Sequence, residues 1–212
     1  CSPNIHHHRS AVRLQRRYQT AVEKGKEMEK QVILASGSPR RQELLRLIVP
    51  EYEVIPALGE EVVKEGLSPQ ETVQQLALHK AKEVAAAHPA ALVIGADTIV
   101  VVGDEILGKP KTPQRSRAML QKLQGRDHMV YTGVALVGPL GEETFAMGTK
   151  VRFAPMDEGE MEAYIATGEP FDKAGAYGIQ GFGSAYIEGI EGDYYNVMGL
   201  PVQAIYQKLK NR

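Results

Sequence analysis

Short apolar runs alternate along this chain with segments that open on a helix-capping signal, and this alternation is the feature that most limits its fold. Residues 32–35 are typical of a buried strand. Ser38-Pro39, which follows, matches an N-cap with proline at the first helical position. Ser68-Pro69 and Thr112-Pro113 repeat that signal further along. Strands that alternate with helices favour a mixed α/β fold.

The remaining predicted elements include one long hairpin. Residues 128–137 and 144–153 are typical of antiparallel strands joined by the turn sequence GPLGEE. A hairpin among alternating strands and helices indicates a mixed sheet rather than a parallel one. The other predicted strands are residues 52–55, 92–95, 98–102 and about 185–188, and the predicted helices open near residues 39, 69, 113, 158 and 201.

Composition excludes several classes of protein. The 212 residues, 43% hydrophobic and 24% charged, suit one large domain or one two-lobed domain. No apolar run reaches the roughly 18 residues of a membrane span, and no secretory signal is evident. The single cysteine, Cys1, excludes internal disulfides and cysteine-built zinc sites, and it fits a cytoplasmic location. A net charge of −1 gives no support for nucleic-acid binding.

The first 30 residues differ from the rest of the chain. They hold seven Lys/Arg, three Glu and three adjacent histidines at residues 6–8. We predict a flexible basic leader or extension over residues 1–30, followed by one folded domain over residues 31–212. A targeting segment is the alternative interpretation of the leader.

Two adjacent arginines, Arg40 and Arg41, fall in the first turn of the first predicted helix. The helix dipole disfavours cations at that end, so the pair costs some helix stability. A phosphate bound at the same turn would reverse the sign of this electrostatic term. The arginines therefore point to an anionic ligand.

Two charged residues interrupt apolar patterns. Lys80 falls on the apolar stripe of the helix that opens at Pro69. It is either a lysine that snorkels at the edge of the stripe or an ammonium group aimed into a cleft toward an anion. Asp97 lies within VIGADTIVV, where an ionised carboxylate is costly without partners. We expect the strand to bend there and to present Asp97 as a turn residue, a metal ligand or a general base.

Two glycine-containing segments complete the set of candidates. Lys109 stands between Gly108 and Pro110, as a surface turn or as a cation on a rigid corner. Residues 168–183 contain five glycines interleaved with charged and aromatic residues. Glycine permits close approach to a ligand, so a packed functional segment is favoured over a floppy loop. Patterns for a P-loop, a dinucleotide-binding loop and a nucleophile elbow are absent from the sequence.

Eight collinear segments resemble the Maf family of nucleotide pyrophosphatases. They are LASGSPRRQELL (34–45), EE (60–61), LALHKA (76–81), GADTIV (95–100), ILGKP (106–110), YTGVAL (131–136), GEPFDKAGAYGIQG (168–181) and GDYYNVMGLP (192–201). The resemblance implies a two-lobed mixed α/β fold, like that of inosine triphosphate pyrophosphatases, with the substrate cleft between the lobes. The short sequences ADT and YGIQG resemble those of the subgroup that acts on dTTP and UTP more than those of the subgroup that acts on 7-methyl-GTP.

The resemblance also implies an activity. A divalent cation such as Mg²⁺ or Mn²⁺ would assist hydrolysis of dTTP, UTP or modified pyrimidine nucleotides to the monophosphate and pyrophosphate, as nucleotide-pool housecleaning. The partner would be the nucleotide alone, without nucleic acid or membrane, and the family type is compatible with a homodimer. By this resemblance Asp97 would be the proton acceptor and a metal ligand, and Glu61 would be a second metal ligand, with Glu60 a less certain neighbour. The phosphates would be contacted by Ser36, Arg41, Lys80 and Lys109. The base would be selected by Arg40, Thr98 and Gln180, and Lys173 would make a further substrate contact.

Two alternatives stay open at this point. The chain could bind nucleotides as a regulator of cell division without turnover. It could also be a phosphotransferase, which would need an acceptor site that the sequence does not identify. The presence of Asp97, Glu61, Lys80 and Lys109 together favours an active hydrolase.

Overall fold

The structure, a computed structural model, describes residues 31–59 and 63–212. The predicted leader, Glu60 and Glu61 lie outside these ranges. Within them the chain forms seven strands, six α-helices and three short 3₁₀ helices. The strands are β1 (Val32–Leu34), β2 (Glu53–Val54), β3 (Leu92–Val102), β4 (Glu105–Leu107), β5 (Asp127–Gly138), β6 (Gly141–Phe153) and β7 (Ile187–Glu191). The α-helices are α1 (Pro39–Arg46), α2 (Pro69–Ala87), α3 (Pro113–Leu123), α4 (Glu158–Ala166), α5 (Tyr194–Met198) and α6 (Val202–Lys210).

The first three helices begin at the prolines that the sequence predicts. At α2 the capping box is complete, because the Ser68 hydroxyl accepts from the Glu71 N–H at 3.2 Å and the Glu71 carboxylate accepts from the Ser68 N–H at 2.8 Å. At α1 the helix follows Ser38, but the Ser38 side chain makes no capping hydrogen bond. Its N–H donates instead to Ser36 Oγ at 3.3 Å. The first turn of α1 therefore begins without a side-chain cap.

The strands form one mixed sheet in the order β2-β1-β3-β5-β6-β7, with β4 paired to β3. β1 runs parallel to β2 and β3, whereas β3, β5, β6 and β7 pair antiparallel in succession. β5 and β6 are the predicted hairpin, whose turn lies between the paired residues Gly138 and Gly141. The prediction of a mixed sheet is confirmed.

β3 is longer than its neighbours on one edge, and this leaves a gap. β1 pairs with residues 92–94 and β4 pairs with residues 100–102. Residues 95–99 consequently have no strand partner on that edge within the described part of the chain. On the other edge β3 pairs with β5 without interruption over residues 93–101. Asp97 and Thr98 thus lie in a stretch of β3 that is unpaired on one edge and continuously paired with β5 on the other.

Apolar side chains pack into cores toward the two ends of the long strands. One core surrounds β1, α1 and α6 and contains Leu34 and Ile205. Another surrounds α3 and α4 and contains Val100 and Phe153, and two smaller cores lie beneath α2. β3 connects these cores, since Ala96 belongs to the first and Val100 to the second, which agrees with the predicted two-lobed architecture. Among the described helices, none is long and apolar enough to cross a bilayer.

The predicted elements are wrong in several places. β3 runs through Gly95-Ala96-Asp97, where the sequence predicts a break, because β5 pairs with every residue there. β4, α5 and the 3₁₀ helices are not predicted, since such short elements carry little periodic pattern. β7 covers Ile187–Glu191 rather than residues 185–188, and the second strand shrinks to Glu53–Val54.

Candidate active site

Helix α2 lies directly on the sheet at two glycines, and this brings one of its lysines to β3. A Cβ at Gly95 would overlap the carbonyl of Ala77, and a Cβ at Gly133 would overlap the backbone of the same helix. Glycine at both positions therefore lets the helix backbone approach the strands closely. Lys80, about one turn beyond Ala77, consequently reaches Asp97.

Lys80 and Asp97 form an ion pair between α2 and β3, in which Nζ donates to Oδ1. The side chains are 17% and 14% exposed. The ammonium group compensates a carboxylate that would be costly alone in an apolar strand. This counter-charge explains why β3 continues through Asp97 without a bend. Lys80 points at a carboxylate instead of snorkelling to the helix surface.

Arg41 organises the opposite face of β3. Its Nε donates to the carbonyl oxygen of Gly199 at 2.8 Å. Nη1 and Nη2 donate to the hydroxyls of Ser36 at 3.3 Å and Thr98 at 3.0 Å. Successive strand residues point to opposite faces, so Thr98 lies across the strand from Asp97. The uncovered edge thus has an ion pair on one face and a guanidinium with two hydroxyls on the other.

Thr98 is one end of a chain of buried hydrogen bonds that lies behind the site. Its Oγ1 lies 2.9 Å from Oγ1 of Thr132 on β5, and Thr132 donates to the Asn196 carbonyl oxygen at 2.9 Å. Asn196 Nδ2 donates to the Val130 carbonyl at 3.1 Å and to Thr149 Oγ1 at 2.9 Å. These bonds tie α5 to the central strands and, through Thr98, to Arg41.

The glycine-rich segment 168–183 packs around the carboxylate of Glu169. Its Oε1 accepts from the Tyr164 hydroxyl at 2.7 Å and from the Gly183 N–H at 3.0 Å, and Oε2 accepts from the Phe182 N–H at 2.8 Å. Burial raises the pKa of Glu169, but these hydrogen bonds together lower it by more than burial raises it, so the net pKa lies below its ordinary value. Residues 175–179 are buried, which confirms the prediction of a packed segment.

Two of the predicted cations contact this segment. Arg40 Nη1 lies 3.6 Å from Asp172 Oδ2, which joins α1 to the segment. Lys173 Nζ donates to the Glu169 carbonyl oxygen and to Asp172 Oδ1, each at 2.9 Å. Arg40 and Lys173 therefore share one carboxylate, Asp172, at the start of the segment.

Lys109 and Gln180 are both exposed. Lys109 follows Gly108, whose carbonyl oxygen accepts from the Gly175 N–H at 3.1 Å. Gly175 has a φ of +72°, and a Cβ there would collide with Val100 on β3. The corner that carries Lys109 is thus fixed against the same segment that carries Gln180.

The predicted metal site is divided between described and undescribed residues. Asp97 is described, whereas Glu61 and its neighbour Glu60 fall in the gap at residues 60–62. The described residues contain no group of three or more His, Cys, Asp or Glu side chains that could hold a metal ion. Magnesium sites commonly use one or two carboxylates together with substrate phosphates, so the pair Asp97 and Glu61 fits such an ion in the type of its donors.

Three residues with a clear place in this geometry are not among the candidates from the sequence. Thr132 and Asn196 are fully buried polar residues of the segments YTGVAL and GDYYNVMGLP, and Glu169 opens the glycine-rich segment. For Thr132, the sequence feature that could have identified it is a polar residue at an inward position of an apolar strand. Their partners lie far away in the chain, so spacing alone does not identify the contacts.

Comparison with known proteins identifies relatives of this chain. A dTTP/UTP pyrophosphatase of a Geobacillus species is 50% identical over 181 residues, which cover 85% of this chain and 97% of that protein. A dTTP/UTP pyrophosphatase of Symbiobacterium thermophilum is 52% identical over 180 residues, 84% of this chain and 92% of that protein. The solved Ham1 protein of Staphylococcus aureus aligns with a TM-score of 0.43 and 22% identity, over 58% of this chain and 72% of its own. Since the profile of the family described as Maf-like protein matches residues 31–212, this chain belongs to the Maf-like protein family.

Proposed function

We propose that this chain hydrolyses dTTP and UTP to the nucleoside monophosphate and pyrophosphate. The observation that carries the proposal is the ion pair of Asp97 and Lys80, because it holds a largely buried carboxylate at the uncovered edge of β3. The relatives named dTTP/UTP pyrophosphatase, about half identical to this chain over most of its length, support the choice of substrate.

Asp97 accepts the proton of the attacking water. The water oxygen bonds to the α-phosphorus, one of its protons passes to the carboxylate, and pyrophosphate leaves with the electron pair of the broken P–O bond. Lys80 orients the carboxylate through its hydrogen bond. We also assign its positive charge to the stabilisation of negative charge on the reacting phosphates, since fixed electrostatic groups of this kind supply much of the rate enhancement in enzymes.

We assign Ser36, Arg41, Lys80 and Lys109 to the phosphates of the substrate, and Lys173 to a further substrate contact. The uncapped first turn of α1, with Arg41 within it, supports this assignment, since exposed N–H groups at a helix start favour an anion. A bound phosphate would also offset the unfavourable position of a cation at the positive end of the helix dipole. Thr98, Arg40 and Gln180 are assigned to the base.

A divalent cation, Mg²⁺ or Mn²⁺, is part of the proposal, with Asp97 and Glu61 as the residues that would hold it. When bound, such an ion supplies charge neutralisation for the phosphate oxygens. Proton acceptance by Asp97 and orientation of its carboxylate by Lys80 remain tasks of the chain itself.

The substitution Asp97→Asn tests the proposal. The amide has nearly the same size but cannot accept the proton, so turnover should fall about a hundredfold or more. The assay separates monophosphate and pyrophosphate by anion exchange after incubation of dTTP or UTP with the protein and Mg²⁺. Asp104→Asn, in the exposed turn between β3 and β4, is the matched control and should retain full activity. A folded Asp97→Asn variant with near wild-type turnover would reject the role of Asp97.

The same assay separates the hydrolase from a nucleotide-binding regulator. Unchanged triphosphate, together with measurable binding of dTTP or UTP by the wild-type chain, would favour the regulator. Deletion of residues 1–30 should leave hydrolysis intact, since we assign catalysis to the domain over residues 31–212. We also propose a cytoplasmic location and a homodimer, the latter measurable by analytical ultracentrifugation.

A further inference from the structure

The hydrogen bonds behind Thr98 run in one direction only. Thr132 is fully buried and its Oγ1 lies 2.9 Å from the Asn196 carbonyl oxygen. A carbonyl oxygen can only accept, and a threonine hydroxyl has one hydrogen. The hydrogen of Thr132 is therefore committed to Asn196, and toward any other neighbour Thr132 can act only as an acceptor.

This commitment determines the role of the Thr98 hydroxyl. Thr98 Oγ1 lies 2.9 Å from Thr132 Oγ1, and since Thr132 can only accept there, Thr98 donates. Arg41 Nη2 donates to Thr98 Oγ1 at 3.0 Å and occupies one of its two lone pairs. Thr98 is left with one lone pair and no hydrogen for a ligand.

The far end of this chain of hydrogen bonds is held so that its direction cannot reverse. Asn196 is fully buried, and its Nδ2 donates to the Val130 carbonyl and to Thr149 Oγ1. The backbone carbonyl oxygen of Asn196 accepts from the Gly199 N–H at 3.0 Å as well as from Thr132. The acceptor that fixes Thr132 is therefore a backbone group of a well-anchored turn.

We propose that Thr132 is a positioning residue for base selection, because it forces Thr98 to meet the substrate as a hydrogen-bond acceptor. The inference rests on the proposed function, in which Thr98 contacts the base. Uracil and thymine present an N–H group at N3, which satisfies the remaining lone pair of Thr98. Cytosine presents a lone pair at N3, which would face that of Thr98 without a hydrogen between them. A site with fixed hydrogen-bond polarity rejects such a mismatched edge strongly.

The test compares UTP with CTP for the full chain and three variants. Thr132→Val removes the acceptor, so that the Thr98 hydroxyl is free to turn its hydrogen toward cytosine N3. The preference for UTP, expressed as the ratio of kcat/KM values, should fall about tenfold, on the scale of one hydrogen bond, mainly through a rise for CTP. Thr132→Ser keeps the hydroxyl and should keep the preference. Thr144→Val removes a comparable hydroxyl from β6, one that donates to Gln74 Oε1 instead, and should also keep it.

Binding measurements keep this inference separable from the proposed function. Calorimetric titration with the non-hydrolysable α,β-methylene analogues of UTP and CTP should give the same tenfold change in the ratio of Kd values for Thr132→Val. If the wild type binds the analogues but hydrolyses neither nucleotide, the hydrolase proposal fails and the Kd ratios still decide the role of Thr132. Unchanged UTP preference in a folded Thr132→Val variant would overturn the inference. Thr132→Ala serves as the second variant if valine prevents folding.

Discussion

His128 should make the stability of this protein depend on pH. The side chain is 3% exposed on β5, and its Nε2 lies 2.6 Å from the Tyr177 hydroxyl. The other ring nitrogen, Nδ1, has no hydrogen-bond partner among the described residues. The pKa of His128 is lowered from 6.5 to about 4, because burial disfavours the charged ring more than the Asp127 charge favours it. Protonation would place an unpaired N–H in the apolar core that contains Tyr177 and Phe153.

The magnitude follows from the two pKa values of His128. Because the folded-state pKa is depressed, its contribution is fully present above about pH 6.5 and is lost as the pH falls toward about 4. The whole difference corresponds to about 3 kcal/mol. Between about pH 7.5 and pH 5 the loss should reach about 2 kcal/mol. For a chain of this length that corresponds to a fall in Tm of about 4–8 °C.

Thermal unfolding followed by circular dichroism at the two pH values measures this effect. His128→Gln removes the titrating group and retains a side-chain amide near Tyr177, so its Tm should fall less than the wild-type Tm between the two conditions. His79→Gln, at an exposed position, is the control and should behave like the wild type. If His128→Gln and the wild type lose the same number of degrees, the assignment of this pH dependence to His128 is wrong.

Three further substitutions test the site. Lys80→Ala should lower kcat/KM about a hundredfold, because Asp97 loses its orienting partner, whereas Lys82→Ala, on the exposed ion pair with Glu142, should leave it unchanged; equal rates would make Lys80 purely structural. Glu169→Gln turns an amide NH₂ toward a backbone N–H, so hydrogen exchange of the Phe182 and Gly183 amides should accelerate. Unchanged protection of these amides would show that the Glu169 carboxylate does not hold the segment. Lys109→Ala should raise KM with little change in Tm, and an unchanged KM would reduce its segment to a surface turn.

Local signals account for the parts of the fold that the sequence predicted correctly. Proline after serine or threonine set the starts of α1, α2 and α3, because those preferences arise within one turn of backbone. The position of Lys80 on an apolar helical stripe likewise follows from the helical period. The mixed sheet and the long hairpin followed from the order and length of the apolar runs.

Contacts between distant residues account for what the sequence could not predict. The expected break at Asp97 is absent because β5 pairs across it and Lys80, on another element, supplies the counter-charge. The hydrogen bond that Thr132 donates goes to a backbone carbonyl of α5, and the packed glycine-rich segment depends on Glu169. The sequence by itself determined which chemical groups are available and where helices start. Only the tertiary structure decided which of those groups meet, because the energies of ion pairs and hydrogen bonds depend on separation in space rather than along the chain.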